Sequence, residues 1–258
     1  MPVKYKTGIV LSGGGARGFS HLGVLQALNE AGIFPDIISS VSSGAIAGVF
    51  YADGYKPQQI LKILNGNNRL DYLGFVLPKE GLMEMTGLTK ILTKYLCARK
   101  FEDLKLPMYV AATDLNNGQI KYFSEGELIN RIVASSSIPV LFKPVTIDDI
   151  DYLDGGIMDN LPVQPLSKNC KYLIGSHVNP IGNVGKLTNL ISIAERTFYL
   201  SVASDVIDKA KQFNLFIDPY ALKDFGILDP GKGNEIYEIG YKETKKKLRQ
   251  FLKKNKEF

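Results

Sequence analysis

Residues 36–48, Asp-Ile-Ile-Ser-Ser-Val-Ser-Ser-Gly-Ala-Ile-Ala-Gly, constrain the fold more than any other part of the chain. The β-branched run from Ile37 to Val41 reads as a short buried strand. It breaks off in Ser42, Ser43 and Gly44, and Ala45, Ile46 and Ala47 begin a helical pattern. A strand that turns into a helix over two or three small residues makes a sharp elbow and displays one side chain above the sheet edge. That side chain is Ser42. The helix behind it would aim its free N–H groups and positive dipole end at any negative charge forming there.

The rest of the chain supplies the sheet that such an elbow needs. Residues 7–12 read as a first strand, followed by Gly13-Gly14-Gly15-Ala16-Arg17-Gly18 and a helical repeat from His21 to Leu28 that Gly32 closes. Two strands separated by one helix predict a parallel crossover. Pro57 opens a further helix over 58–64, and 88–96 reads as another. Residues 108–114 and 119–123 flank Asn116-Asn117-Gly118, a hairpin signal. A helix over 127–134, strands at 145–147, 172–176 and 214–218, a long helix over 187–211 and a terminal helix from Ile236 complete the pattern. Residues 65–87, with Leu70, Tyr72, Phe75, Met83 and Met85, read as an apolar loop, either covering the core or lining a pocket for a flexible chain. With 258 residues, 25 of them glycine, and no internal repeat, the expectation is one α/β domain over 1–258. Its architecture is a three-layer α/β/α sandwich on a mixed, mostly parallel sheet.

No apolar run approaches the roughly 18 residues of a membrane span, and residues 1–7 lack the apolar core of a signal peptide, so a cytoplasmic location is expected. Cys97 and Cys170 are far apart in sequence, without a CxxC, and read as reduced thiols. Charge is unevenly spread. Residues 241–258 hold eight Lys/Arg and two Glu, a net +6, so the +5 of the whole chain leaves −1 for residues 1–240. The tail helix places Tyr237, Tyr241, Leu248 and Leu252 near one face amid lysines. It reads either as a solvated capping helix or as a basic amphipathic helix on an anionic membrane. No nucleic acid is expected as a partner.

The glycine run fits G-x-G-x-x-G after a strand and before a helix, the placement of a dinucleotide loop. The acidic residue that should close the following strand is missing; Asp36 starts it instead. Phe19 stands where a Walker loop needs lysine. The run has another use: amides of successive glycines can converge on an oxyanion, with Arg17 adding positive charge. Asp154-Gly155-Gly156 follows Tyr152-Leu153, so its carboxylate could take a proton from a serine hydroxyl; Leu153 at a ligand position excludes a calcium loop. No metal or cofactor is expected.

In this order the motifs resemble the patatin-like phospholipases, whose pattern is Gly-Gly-Gly-x-Arg/Lys-Gly, Gly-x-Ser-x-Gly and Asp-Gly-Gly/Ala. The corresponding residues are Gly13 to Gly18, Ser40-Val41-Ser42-Ser43-Gly44 and Asp154-Gly155-Gly156. Flanking agreement at His21 to Leu25, Gly44 to Gly48, Ser135 to Pro139 and Asp159 to Pro162 extends the resemblance over about residues 7–180. Ser40 departs from it, standing where the family has glycine, and slight strain is expected there. The resemblance implies a serine–aspartate dyad without histidine. Ser42 would be the nucleophile, Asp154 the base, and the Gly13 to Gly18 loop the oxyanion site, acting on a phospholipid or related acyl ester. A Ser42–Asp154–His177 triad, a silent lipid-binding member and a nucleotide-binding protein are the competing readings.

Overall fold

The computed structural model describes residues 3–66, 84–183, 206–227 and 230–254, with five single positions between 187 and 200. Most of the apolar loop expected over 65–87, most of the helix expected over 187–211 and residues 255–258 lie outside the described residues. Eight strands form one sheet: β1 (Tyr5–Leu11), β2 (Ile37–Val41), β3 (Met108–Asp114), β4 (Gln119–Phe123), β5 (Val145–Ile147), β6 (Ile150–Asp154), β7 (Cys170–Ser176) and β8 (Leu215–Ile217). Their order is β5-β6-β3-β2-β1-β7-β8, with β4 attached to β3 off this path. The pairings of β1 with β2 and β7, β2 with β3, and β7 with β8 are parallel; β3 with β4 and β6, and β5 with β6, are antiparallel. The sheet is mixed and mostly parallel.

Flanking helices are α1 (Phe19–Glu30), α2 (Ser43–Ala52), α3 (Pro57–Asn65), α4 (Thr86–Tyr95), α5 (Ile129–Ser136), α6 (Val206–Ala210) and α7 (Gly233–Lys254). The alternation of β1 shows why both sheet faces need cover. Ile9 and Leu11 join the large core with Leu22, Leu25 and Phe50, whereas Val10 packs in a second cluster with Leu161, Val163 and Leu166. A central parallel strand, buried on both faces, has to be apolar at successive positions.

One edge of β3 sets up the candidate site. β4 pairs with residues 110–114, so β2, paired with 108–111, and β6, paired with 112–114, share the opposite edge. Val41 partners Ala111 and Asp154 partners Ala112. The last residue of β2 and the last residue of β6 therefore meet end to end on consecutive residues of β3.

The C-terminal helix packs on the domain, as the capping reading expected. Its Ile236, Tyr237, Thr244 and Leu248 are buried, and most of its contacts are with α1. The two helices cross at paired glycines: a Cβ on Gly23 would lie 2.1 Å from the Tyr237 carbonyl oxygen, and one on Gly240 would lie 2.3 Å from that of Ser20. Of the four residues read near one face, Tyr237 and Leu248 are spent on the core and Leu252 alone is exposed. The charged face remains outside. Lys245 pairs with Glu30 at the far end of α1 from the glycine loop.

Candidate active site

Ser42 is one of four non-glycine residues with a positive φ among the described residues. Its backbone lies at φ 53°, ψ −126°, a combination that costs a non-glycine residue on the order of 1–3 kcal/mol. The surroundings hold it there. Its N–H donates to Ser135 Oγ at 2.9 Å, and its carbonyl accepts from Ala45 and Ile46 at 2.8 and 3.1 Å. Gly44 lets α2 approach the end of β1, since a Cβ would come within 2.4 Å of the Leu11 carbonyl oxygen and 2.6 Å of that of Ser12. The strain expected at Ser40 is not found. Ser40 has no positive φ, and its buried hydroxyl donates to the Tyr109 carbonyl at 3.1 Å. A serine fits where the motif has glycine because the strand, not the turn, passes through that position.

Asp154 lies beside it, 1% exposed. Oδ1 accepts the Gly156 N–H at 2.8 Å, the Asp154 N–H donates to the Ser137 carbonyl at 2.9 Å, and Thr113 donates to the Asp154 carbonyl at 2.9 Å. Gly155 is required for this approach, because a Cβ would sit 2.4 Å from the Ala111 carbonyl oxygen. Burial pushes the carboxyl up to about 7, opposed by the neighbouring Ser42 hydroxyl and by the Gly156 N–H. The serine is close enough to influence the carboxyl, yet no aligned bond joins them: Oδ2 is buried without a hydrogen-bond partner. Loose contact of this kind is common before a substrate tightens a site.

The glycine loop closes the third side. Asn179 Nδ2 and Ser12 Oγ donate to the Gly13 carbonyl at 2.6 and 3.1 Å. Holding that carbonyl turns the trans-related N–H of Gly14 the opposite way. The Gly14 and Gly15 amides form no hydrogen bond among the described residues. Gly15 has φ +55°, and a Cβ there would lie 2.2 Å from the Ile227 carbonyl oxygen, which accepts the Ala16 N–H at 2.7 Å. Arg17 is buried and turned to the same segment, Nε donating to the Phe225 carbonyl at 2.7 Å. Gly18 packs on Ser43, where a Cβ would clash at 2.5 Å. Among the loop residues singled out in the sequence, Arg17 and Gly18 therefore brace the loop.

The histidines are engaged elsewhere. His21 Nε2 lies 2.8 Å from the Ser12 carbonyl, which can only accept, so Nε2 carries the proton and Nδ1 accepts from Ser176 Oγ at 2.8 Å. Burial drives His21 down to about 4, so it is neutral at neutral pH. His177 Nδ1 pairs with Asp218 at 3.0 Å, not with Asp154. The Ser42–Asp154–His177 reading is corrected by this pairing: His177 follows β7, and β1 lies between β7 and β2.

Sequence reasoning gave no role to Ser135 and Ser137, which hold the backbones of Ser42 and Asp154. It also missed Asn179 and residues 225–227. The Ser-Ser-Ser run before Ile138-Pro139 was visible, but its partners were not.

The patatin-like phospholipase family profile matches residues 9–167. The chain belongs to the patatin-like phospholipase family. It is 29% identical over 276 residues to the lysophospholipase NTE1 of Kluyveromyces lactis, and 29% identical over 280 residues to lysophospholipase nte1 of Neurospora crassa. These alignments cover 91% and 94% of the chain but 18% of each relative, so the chain spans less than a fifth of their length. In fold it is similar to VipD from Legionella pneumophila, with a TM-score of 0.57 at 17% identity, covering 96% of this chain and 67% of that one.

Proposed function

We propose that the protein hydrolyses carboxyl esters of phospholipids or related acyl lipids through a Ser42–Asp154 dyad. Asp154 takes the Ser42 proton as the hydroxyl attacks the ester carbonyl. The Gly14 and Gly15 amides receive the developing oxyanion, and the protonated Asp154 supplies the leaving alcohol with its proton. Water then attacks the acyl-serine with Asp154 again as base. The observation that carries this reading is the pairing of a strained serine with an otherwise unpartnered buried carboxylate oxygen. Backbone strain and orphaned polar atoms are costs that a purely structural turn has no reason to retain. The lysophospholipase relatives supply the lipid ester class.

Contact with an anionic membrane, in this reading, is peripheral and rests on the exposed Lys242, Lys246, Arg249 and Lys253. The test of the whole proposal is turnover of p-nitrophenyl acyl esters and labelling by a fluorophosphonate. Wild type should do both and Ser42→Ala neither. Undiminished turnover in Ser42→Ala would sink the dyad, and absence of labelling and turnover in wild type would favour a silent lipid-binding member.

A further inference from the structure

The chemistry proposed above uses backbone amides as its oxyanion donors. Asn160 offers a side-chain donor at the same place. It follows the 3₁₀ turn Gly155–Ile157 in Asp159-Asn160-Leu161-Pro162 and is 4% exposed. A Cβ built on Gly13 would lie 2.5 Å from Asn160 Oδ1 and 3.0 Å from Ser42 Cβ. The carboxamide, the glycine loop and the nucleophile thus converge on one point. Gly13 lacks a side chain there because the carboxamide occupies the space beside Ser42.

Asn160 Nδ2 is fully buried and has no hydrogen-bond partner. The residue before it is fully engaged. Asp159 accepts from Tyr122 Oη at 2.6 Å, from Lys209 Nζ at 2.6 Å and from the Leu161 N–H at 3.2 Å. Tyr122 comes from β4 and Lys209 from α6, so two separate elements fix the backbone of a residue whose own donor is left unused. Leaving a buried donor unpaired is unfavourable, and an apolar residue of similar size would fill the space without that penalty. The unused donor calls for an acceptor that arrives with the substrate.

We propose that Asn160 is a further catalytic residue, its Nδ2 donating to the ester carbonyl oxygen as that oxygen becomes an oxyanion in the attack by Ser42. The inference rests on the dyad reading. In it, Gly13 is the spacer that admits the carboxamide, the adjacent glycines provide amide donors, and the Tyr122–Asp159–Lys209 cluster positions Asn160.

The test compares p-nitrophenyl esters with the matching thionoesters, whose sulfur accepts hydrogen bonds poorly. In Asn160→Ala, kcat for the ester should fall about 10²-fold with KM little changed, as for loss of one oxyanion donor. The preference for ester over thionoester should shrink about tenfold or more, because the donor being lost discriminates between oxygen and sulfur. That preference is measured within one preparation, so a partly unfolded sample cancels. Asn160→Ser, read the same way, replaces Asn160→Ala if the alanine variant does not fold. A fall in kcat with an unchanged ester preference would reduce Asn160 to a structural residue and overturn the inference, as would undiminished kcat. If Asn160→Ala behaves like wild type while Ser42→Ala is inactive, only this inference fails; if Ser42→Ala stays active, the dyad reading fails first.

Discussion

The elbow at Ser42 and the helix α7 both drew attention in the sequence, one for its small residues and the other for its charge. In the structure they are opposites. The elbow carries a positive-φ serine, a buried carboxylate oxygen without a partner and a carboxyl raised to about 7. In α7 the apolar side faces α1, Thr244 back-bonds to the Gly240 carbonyl at 2.7 Å, and exposed lysines stand in water. The Lys245–Glu30 pair of α7 lies at the end of α1 away from the glycine loop. At the elbow, backbone strain and an unpartnered buried carboxylate oxygen occur together. Charge alone marked a surface, whereas strain and orphaned polar groups together mark a candidate site.

The contrast is broken most severely at Asp154. Asp154→Asn should lower kcat by about 10²–10⁴-fold in an ester assay, the range of a lost general base, whereas His177→Ala should cost far less. A comparable loss in both would restore the histidine triad. The same Asn variant should melt higher than wild type above pH 7. The folded carboxyl is raised above its ordinary value of 3.8, so the native state binds the extra proton between about pH 4 and 7, and stability falls as pH rises through that window. An asparagine never ionises and avoids that loss. Thermal melts at pH 5 and 8 check the sign.

A second large effect is in the pH profile. The base must be ionised to act, so kcat/KM should rise with pH to a plateau above about 7 and fall about tenfold per unit below it. An acid limb near pH 4 would mean that Asp154 is not the base.

A smaller effect separates strain from chemistry. Ser42→Gly removes the hydroxyl and relaxes φ 53°, so activity should vanish while stability rises by about 1 kcal/mol, a Tm increase of about 2–4 °C. A lower Tm would show that the elbow is not strained.

The smallest effect is expected at α7. Replacing Lys242, Lys246, Arg249 and Lys253 together by Gln should alter turnover of a monomeric ester less than about twofold, since exposed charges are screened by salt. Co-sedimentation with anionic vesicles should weaken in that variant and in high salt. Vesicle binding that survives both changes would shift the contact away from these charges.

The elbow, the glycine loop and Asp154-Gly155-Gly156 were legible because each is a local rule, in which small residues sit where strand meets helix or where backbone must come close to backbone. The hairpin at Asn116-Asn117-Gly118 was legible for the same reason, and its strands β3 and β4 fall where the sequence placed them. What the sequence by itself determined is therefore the three motifs and most of the described elements, β6 not among them. Only the tertiary structure decided which distant groups serve them. It brought β6 against the end of β2 on one edge of β3, took His177 to Asp218 instead of Asp154, and set Ser135 under the Ser42 amide from 93 residues away. It also spent the apolar face of α7 on α1. Hydrophobic periodicity records that a face will be buried; it carries no record of whether protein or lipid will cover it, because both remove the same apolar surface from water.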